Sequence, residues 1–262
     1  MNIAYNADCL AAMRETEDEC IDLTVTSPPY DDIRDYNGYT FDWKATIAEL
    51  YRITKHGGAV VWIVNDQTVD GSETGTSFRQ ALWAKDCGFN LHDTMIWDKE
   101  SFSFPESNRY QPVFEYMFVF TKGKPETFNA IVDKPVLKEC KMNKQAHGRD
   151  KNGKRKYSER LYESKEFQTR FNIWEYNIGN NITTKDAIAF QHPAIFPERL
   201  AADHIKSWSN EGDIVLDPFM GSGTTAKVAR ALGRHYIGFE ISAEYCDIIC
   251  KRLEQTKTLF DE

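Results

Sequence analysis

Two short stretches hold residue types able to do chemistry. In Thr26-Ser27-Pro28-Pro29-Tyr30 a hydroxyl, a backbone carbonyl with no local competitor (Pro28) and an aromatic ring follow one another. Together they suit a flat heterocycle bearing an amino group. The second stretch, Asp217-Pro218-Phe219-Met220-Gly221-Ser222-Gly223-Thr224-Thr225, ends a predicted strand and opens a predicted helix. Glycines at such a turn let the backbone approach a ligand, and the helix start offers unpaired N–H groups. Glu240 ends the next strand, 17 residues beyond Gly223. An acid at that place accepts hydrogen bonds from a ribose diol in dinucleotide-type folds. This turn is shorter than the dinucleotide fingerprint and lacks its third glycine. A nucleoside-type cofactor without a pyrophosphate fits it better than a nicotinamide dinucleotide.

Positioning these stretches requires an ordered set of elements. Apolar, β-branched runs predict strands at 3–5, 20–25, 59–64, 91–97, 113–121, 213–217 and 235–239. Helical spacing predicts a helix at 9–14 and one at 43–54 stopped by His56-Gly57-Gly58. Others are predicted at 76–87 (Phe78, Ala81, Leu82, Ala84), 197–207 (Leu200, Ala201 and Ile205 inward), 224–232 and 243–255. Pro28 and Pro29 end the strand at 20–25 and stiffen the loop at its carboxyl end. Residues 31–42, rich in Asp, Tyr, Asn and Gly, read as a mobile loop. Regularity is lost over 122–184, where bases precede interleaved aromatics (Tyr157, Tyr162, Phe167, Phe171, Trp174, Tyr176). Two readings stand for these rings: base-stacking platforms, or the small core of an inserted subdomain.

With 262 residues, 41% hydrophobic and 27% charged, the chain has the make-up of one α/β domain with an insertion. No apolar run approaches a membrane helix and no signal peptide is legible, so an intracellular protein is expected. The six cysteines form neither a zinc ladder nor a disulfide framework, so no metal is expected. The net charge is −8, yet residues 121–170 hold 14 Lys and Arg against 7 Asp and Glu. A basic segment on an acidic body reads as a nucleic-acid contact surface or as a solvated charged loop. Lys151, Lys154, Arg155 and Lys156 are its candidate DNA-binding residues.

The two motifs resemble those that define the DNA amino-methyltransferases, which methylate exocyclic nitrogens of cytosine or adenine. Gly238-Phe239-Glu240 resembles the family's ribose-binding strand end, and 192–198 its cofactor-packing helix. The catalytic motif precedes the glycine motif, as in the family's circularly permuted β group. The resemblance covers about 1–121 and 190–256. It implies an α/β, doubly wound, mostly parallel seven-stranded sheet with one antiparallel edge strand, the Rossmann-like class I methyltransferase fold. Residues 1–121 would be the catalytic half, 122–189 the inserted target-recognition region and 190–262 the cofactor half. The implied cofactor is S-adenosylmethionine, held by Phe219, Gly221, Gly223 and Glu240 with Asp217, Ser222 and Thr224 of the same motif, and by Asp8 and Phe196. Ser27 and the carbonyl of Pro28 would accept hydrogen bonds from the target amino group, beside Pro29, and Tyr30 would stack on the flipped base.

The family's adenine enzymes more often carry Asp before Pro-Pro-Tyr and its N4-cytosine enzymes Ser, so Ser27 leans to cytosine N4. Adenine N6 is the alternative, ahead of RNA, a protein amide or a non-catalytic DNA-binding scaffold. The implied partners are double-stranded DNA and a restriction endonuclease, in the cytoplasm of a bacterium or a phage-infected host. Monomer and homodimer both fit.

Overall fold

The computed structural model describes residues 2–29, 41–99, 108–135, 145–158 and 166–256, with backbone alone for 145–147 and 156–158. Tyr30, residues 31–40 of the stretch expected as a loop, Tyr162 and the side chains of Lys156 and Tyr157 lie outside the described residues.

The chain opens with β1 (Asn2–Asn6) and α1 (Cys9–Arg14), where the Asp8 carboxylate caps the helix by accepting from the Ala11 N–H at 2.8 Å. β2 (Ile21–Thr26), α2 (Trp43–Ile53), β3 (Thr54–Val64) and α3 (Thr76–Asp86) follow. Then come β4 (Asn90–Asp98), β5 (Phe114–Thr121) and the short β6 (Ile173–Glu175). The C-terminal part contains α4 (Glu198–Trp208), β7 (Ile214–Asp217), α5 (Thr224–Ala231), β8 (His235–Glu240) and α6 (Ala243–Glu254).

The large sheet runs β1-β8-β7-β2-β3-β5-β4-β6. Its pairings are parallel except that β5 runs against both β3 and β4. β2, β3 and β5 are almost wholly buried, which is why each reads as a continuous apolar run instead of an alternating one. Met13, Ile47, Leu50, Ile53, Ala81 and Ala84 from α1, α2 and α3 pack on Val60, Trp62, Phe118 and Phe120 of the sheet.

The mostly parallel α/β fold is the expected one; three details differ. The sheet has eight strands, and antiparallel β5 is internal. The extra strand β6 closes the edge by pairing with β4, and three residues are too few to leave a period-2 signal. Second, α2 does not stop at the glycines: it ends at Ile53, and β3 starts at Thr54 and runs through Gly57 and Gly58. Gly57 has φ +85°, and a Cβ there would lie 2.4 Å from Glu126 Cγ, so the glycine serves close approach and not a helix cap. Third, α3 buries Ser77, Gln80, Ala81 and Ala84 and exposes Phe78 and Leu82. The Trp62 indole N–H donates to Gln80 Oε1 at 2.9 Å, and Asp66 accepts from the Ser77 N–H at 2.9 Å; these polar bonds turn the helix face.

The chain divides into two compact units, Ala130–Phe171 and the remainder. Trp174 and Tyr176 belong to the larger unit and are buried there, Trp174 against His204 with ring centroids 4.6 Å apart. These two aromatics are core. Phe167 and Phe171 are exposed, with Lys134 over the Phe171 ring. In the smaller unit, Gln145–Arg149 and Arg155–Ser158 form an antiparallel ribbon. Its turn is held by the Asp150 carboxylate, which accepts from the N–H groups of Asn152 at 2.8 Å and Lys154 at 2.9 Å.

Candidate functional site

β2 and β7 are neighbours in the middle of the sheet, but the chain leaves them in opposite directions, β2 to β3 and β7 to β8. Open α/β sheets hold ligands at the carboxyl ends of strands at such a switch point. Register pairs Leu23 with Val215 and Thr24 with Leu216, so the two motifs emerge side by side. Buried hydroxyls lock them together. Thr26 Oγ1 donates to Asp217 Oδ1 at 2.7 Å, and Thr225 Oγ1 donates to the Val25 carbonyl at 3.0 Å.

Above these strand ends lies a cavity of about 330 Å3. Among the residues predicted from sequence, Asp8, Ser27, Pro29, Phe196, Phe219, Gly221, Ser222, Thr224 and Glu240 line it. Pro28, Asp217 and Gly223 are not part of that lining. Asp217 is only 2% exposed and works below the turn, accepting from Thr26 and from the Phe219 N–H at 3.1 Å. Gly223 caps α5 in the left-handed conformation, φ +79°.

The glycine turn is shaped by its neighbours. Gly221 has φ +51°, and a Cβ on it would lie 2.8 Å from His192 Cε1. Its N–H donates to Glu240 Oε2 at 2.7 Å, while Glu240 Oε1 accepts from the Ser242 N–H at 2.9 Å. Burial raises the pKa of the Glu240 carboxyl, against those two backbone donors. Each oxygen keeps acceptor capacity for a diol. Sequence reasoning missed Phe41, Tyr245 and Cys9 in the lining. Phe41 packs edge-on against Phe219 at 4.9 Å, and Tyr245 against His192 at 4.4 Å. No local signal marks Phe41, which sits in a stretch read as loop. Tyr245, in the first turn after the Glu240 strand, was within reach of the same argument as the glycine turn. Burial pushes the Cys9 thiol up to about 12, which disfavours the thiolate at neutral pH.

Among the described residues the lining contains acids (Asp8, Asp42, Glu240) and apolar walls and no Lys or Arg. Three carboxylates on such walls suit a nucleoside carrying positive charge, and the volume is that of a small-molecule site. The Asp217 carboxyl, buried beneath, is pushed up to about 6 because burial outweighs its hydrogen bonds. A raised acid pKa favours folding at low pH and loses that contribution as pH rises through it. Asp217→Asn is therefore expected to gain stability relative to the wild type between about pH 4 and 6, reaching roughly 3 kcal/mol, and then to level off. Thermal melts of both proteins across that range check it; a difference independent of pH contradicts the buried-acid account.

A family model described as DNA methylase, covering N6 and N4 methyltransferases, matches residues 21–251. The orphan methyltransferase M.BamHII of Bacillus amyloliquefaciens is 59% identical over 244 residues, which is 92% of this chain and 92% of that protein. The DNA adenine methyltransferase YhdJ of Escherichia coli (strain K12) is 29% identical over 95% of this chain and 81% of its own length. Two solved structures share the fold. The cytosine-N4-specific PvuII DNA methyltransferase has TM-score 0.68 at 20% identity, covering 96% of this chain and 86% of that one. TTHA0409 of Thermus thermophilus, complexed with S-adenosyl-L-methionine, has TM-score 0.63 at 22% identity, covering 98% and 96%. With its two motifs meeting at the switch point and both ends of the sheet accounted for, the chain belongs to the N6/N4 DNA methylase family.

Proposed function

We propose that this DNA methyltransferase transfers the methyl group of S-adenosylmethionine to cytosine N4 of a base turned out of duplex DNA. The observation that carries the reading is one cavity lined both by the glycine turn with Glu240 and by Ser27 of the Pro-Pro loop. Glu240 would accept from the ribose hydroxyls, Phe219 and Phe196 would hold the base of the donor, and the Asp8 carboxylate would suit its cationic end. Bound there, the donor supplies an electrophilic methyl on a sulfonium. Ser27 Oγ and the Pro28 carbonyl accept from the two amino hydrogens of the target base. That pulls the nitrogen toward a tetrahedral shape, frees its lone pair from the ring and aims it at the methyl. Alignment of this kind supplies much of the rate in a displacement. As the C–N bond forms the methyl's bond to sulfur breaks, leaving a neutral thioether. The proton becomes acidic only once the nitrogen is alkylated and then passes to solvent, so no strong base is required before attack. Tyr30 stacks on the turned-out base in this reading.

Ser27 supports cytosine over adenine, because the family's adenine enzymes more often place a carboxylate there. Nucleoside mass spectrometry of DNA from cells expressing the protein tests the assignment. N4-methylcytosine is expected; N6-methyladenine in its place would transfer the same mechanism to adenine, and neither would remove the reading. The orphan name of the 59% identical relative favours modification without a cognate endonuclease.

The inserted region, 122–189 in the sequence reading, supplies the DNA contact in this proposal. Within it the Asp150-held turn exposes Lys151, Lys154 and Arg155. Phosphate contacts show themselves through released counterions. Reversing the charge of all three is expected to weaken DNA binding on any sequence and to flatten the salt slope by about one for each phosphate no longer neutralised. Binding titrations at several salt concentrations read this directly; an unchanged slope would make the ribbon a solvated turn.

A further inference from the structure

Arg252 of α6 is fully buried, and its guanidinium reaches one part of the cavity wall and the two acids that flank another. On one side Nη1 donates to the Ser222 carbonyl at 2.6 Å, to Ser222 Oγ at 3.0 Å and to Thr224 Oγ1 at 3.2 Å. On the other, Nε donates to Asp186 Oδ2 at 2.9 Å and Nη2 to Glu198 Oε1 at 2.7 Å. The stretch between those two acids holds His192, Ala194, Ile195 and Phe196, all lining the cavity. Lys227 Nζ donates to the same two oxygens, at 2.8 Å each. Arg252 thus shares its acids with Lys227, but in the bonds described only Arg252 also holds the turn.

Burying an arginine with its acids is poor value as a stabiliser, because desolvation offsets most of the attraction. Its planar fork explains the choice better: donors on three separate nitrogens serve a carbonyl and two carboxylates that lie on different sides of the group, a spread that the single nitrogen of an ammonium does not cover. The Ser222 carbonyl shares a peptide plane with the Gly223 N–H, itself donating to the Met220 carbonyl at 2.7 Å. Holding that carbonyl holds the turn.

We infer that Arg252 is a positioning residue for the methyl-donor site, keeping the 221–224 turn and the 192–196 wall at a set separation. The inference rests on the proposed donor role of that turn. Arg252→Lys keeps the charge but loses the fork. On the full chain, isothermal titration is expected to show the Kd for S-adenosylmethionine raised about tenfold, the loss of charge-assisted bonds that would hold the turn. KM for the donor should rise with it, while kcat at saturating donor and KM for DNA stay near wild type. Lys227→Met is the control: it removes an ion pair from the same acids and should lower Tm without changing donor Kd. If Arg252→Lys fails to fold, Glu198→Gln loosens the guanidinium from its other side and should raise the donor Kd severalfold. Folded Arg252→Lys with wild-type donor affinity overturns the inference. So does a Lys227→Met protein that loses donor affinity equally, since the network would then be structural alone. Wild-type protein that binds no donor overturns the functional reading itself.

Discussion

Ser27→Ala is expected to lower kcat about a hundredfold while leaving the Kd for S-adenosylmethionine within a fewfold of wild type. The size follows from where the hydroxyl acts. It accepts from an amino group whose hydrogens become more acidic as the nitrogen attacks, so its bond strengthens in the transition state and not in the ground state. An interaction of that kind appears in kcat. Alanine removes the acceptor and leaves the strand end held, because among the described residues the lock between the motifs runs through Thr26 and Asp217. Single-turnover measurement with saturating donor and DNA isolates the step. A rate equal to wild type would mean that Ser27 plays no part in transfer, and that the Pro28 carbonyl or another acceptor performs it.

Glu240→Ala is expected to act in the complementary way, raising the donor Kd about a hundredfold or more. Two losses combine. The ribose hydroxyls lose a charged acceptor, and the Gly221 and Ser242 N–H groups, held at 2.7 and 2.9 Å, lose theirs. Glu240 is only 9% exposed, so the vacated space does not restore those bonds as bulk water would. The turn then lacks its anchor to β8. Equilibrium titration gives the affinity, and kcat at saturating donor should recover much of the wild-type value. Unchanged affinity would remove Glu240 from the donor site, whatever Ser27 does.

The two motifs were legible because each ends a buried strand and breaks it with residues that have few other uses at that place. Pro28-Pro29 and Gly221-x-Gly223 are punctuation as well as chemistry. Glu240 was legible by its distance from the glycines. The fold class followed from apolar strands alternating with helical spacing. The helix at 76–87 was legible from Phe78, Ala81, Leu82 and Ala84, but its buried face was not: Ala81 and Ala84 face the core and Phe78 and Leu82 do not, because the Trp62–Gln80 and Asp66–Ser77 bonds set the face. Hydrogen bonds between distant residues leave no periodicity to read. The glycine stop at 56–58 failed for a related reason: Gly57 is required by the close approach of Glu126, far along the chain.

The sequence by itself determined the strand-and-helix plan, the methylase family, the two chemical motifs and their order, since all of these depend on neighbours within a few residues. Only the tertiary structure decided which of those residues share a cavity. It sent Asp217 below the turn to join β2 and β7, placed Phe41 and Tyr245 in the lining, and buried Trp174 and Tyr176 as core. It also brought Arg252 to Ser222 from 30 residues away. Each of these is set by strand order and by bonds between distant segments, and a linear pattern does not encode which distant segments meet.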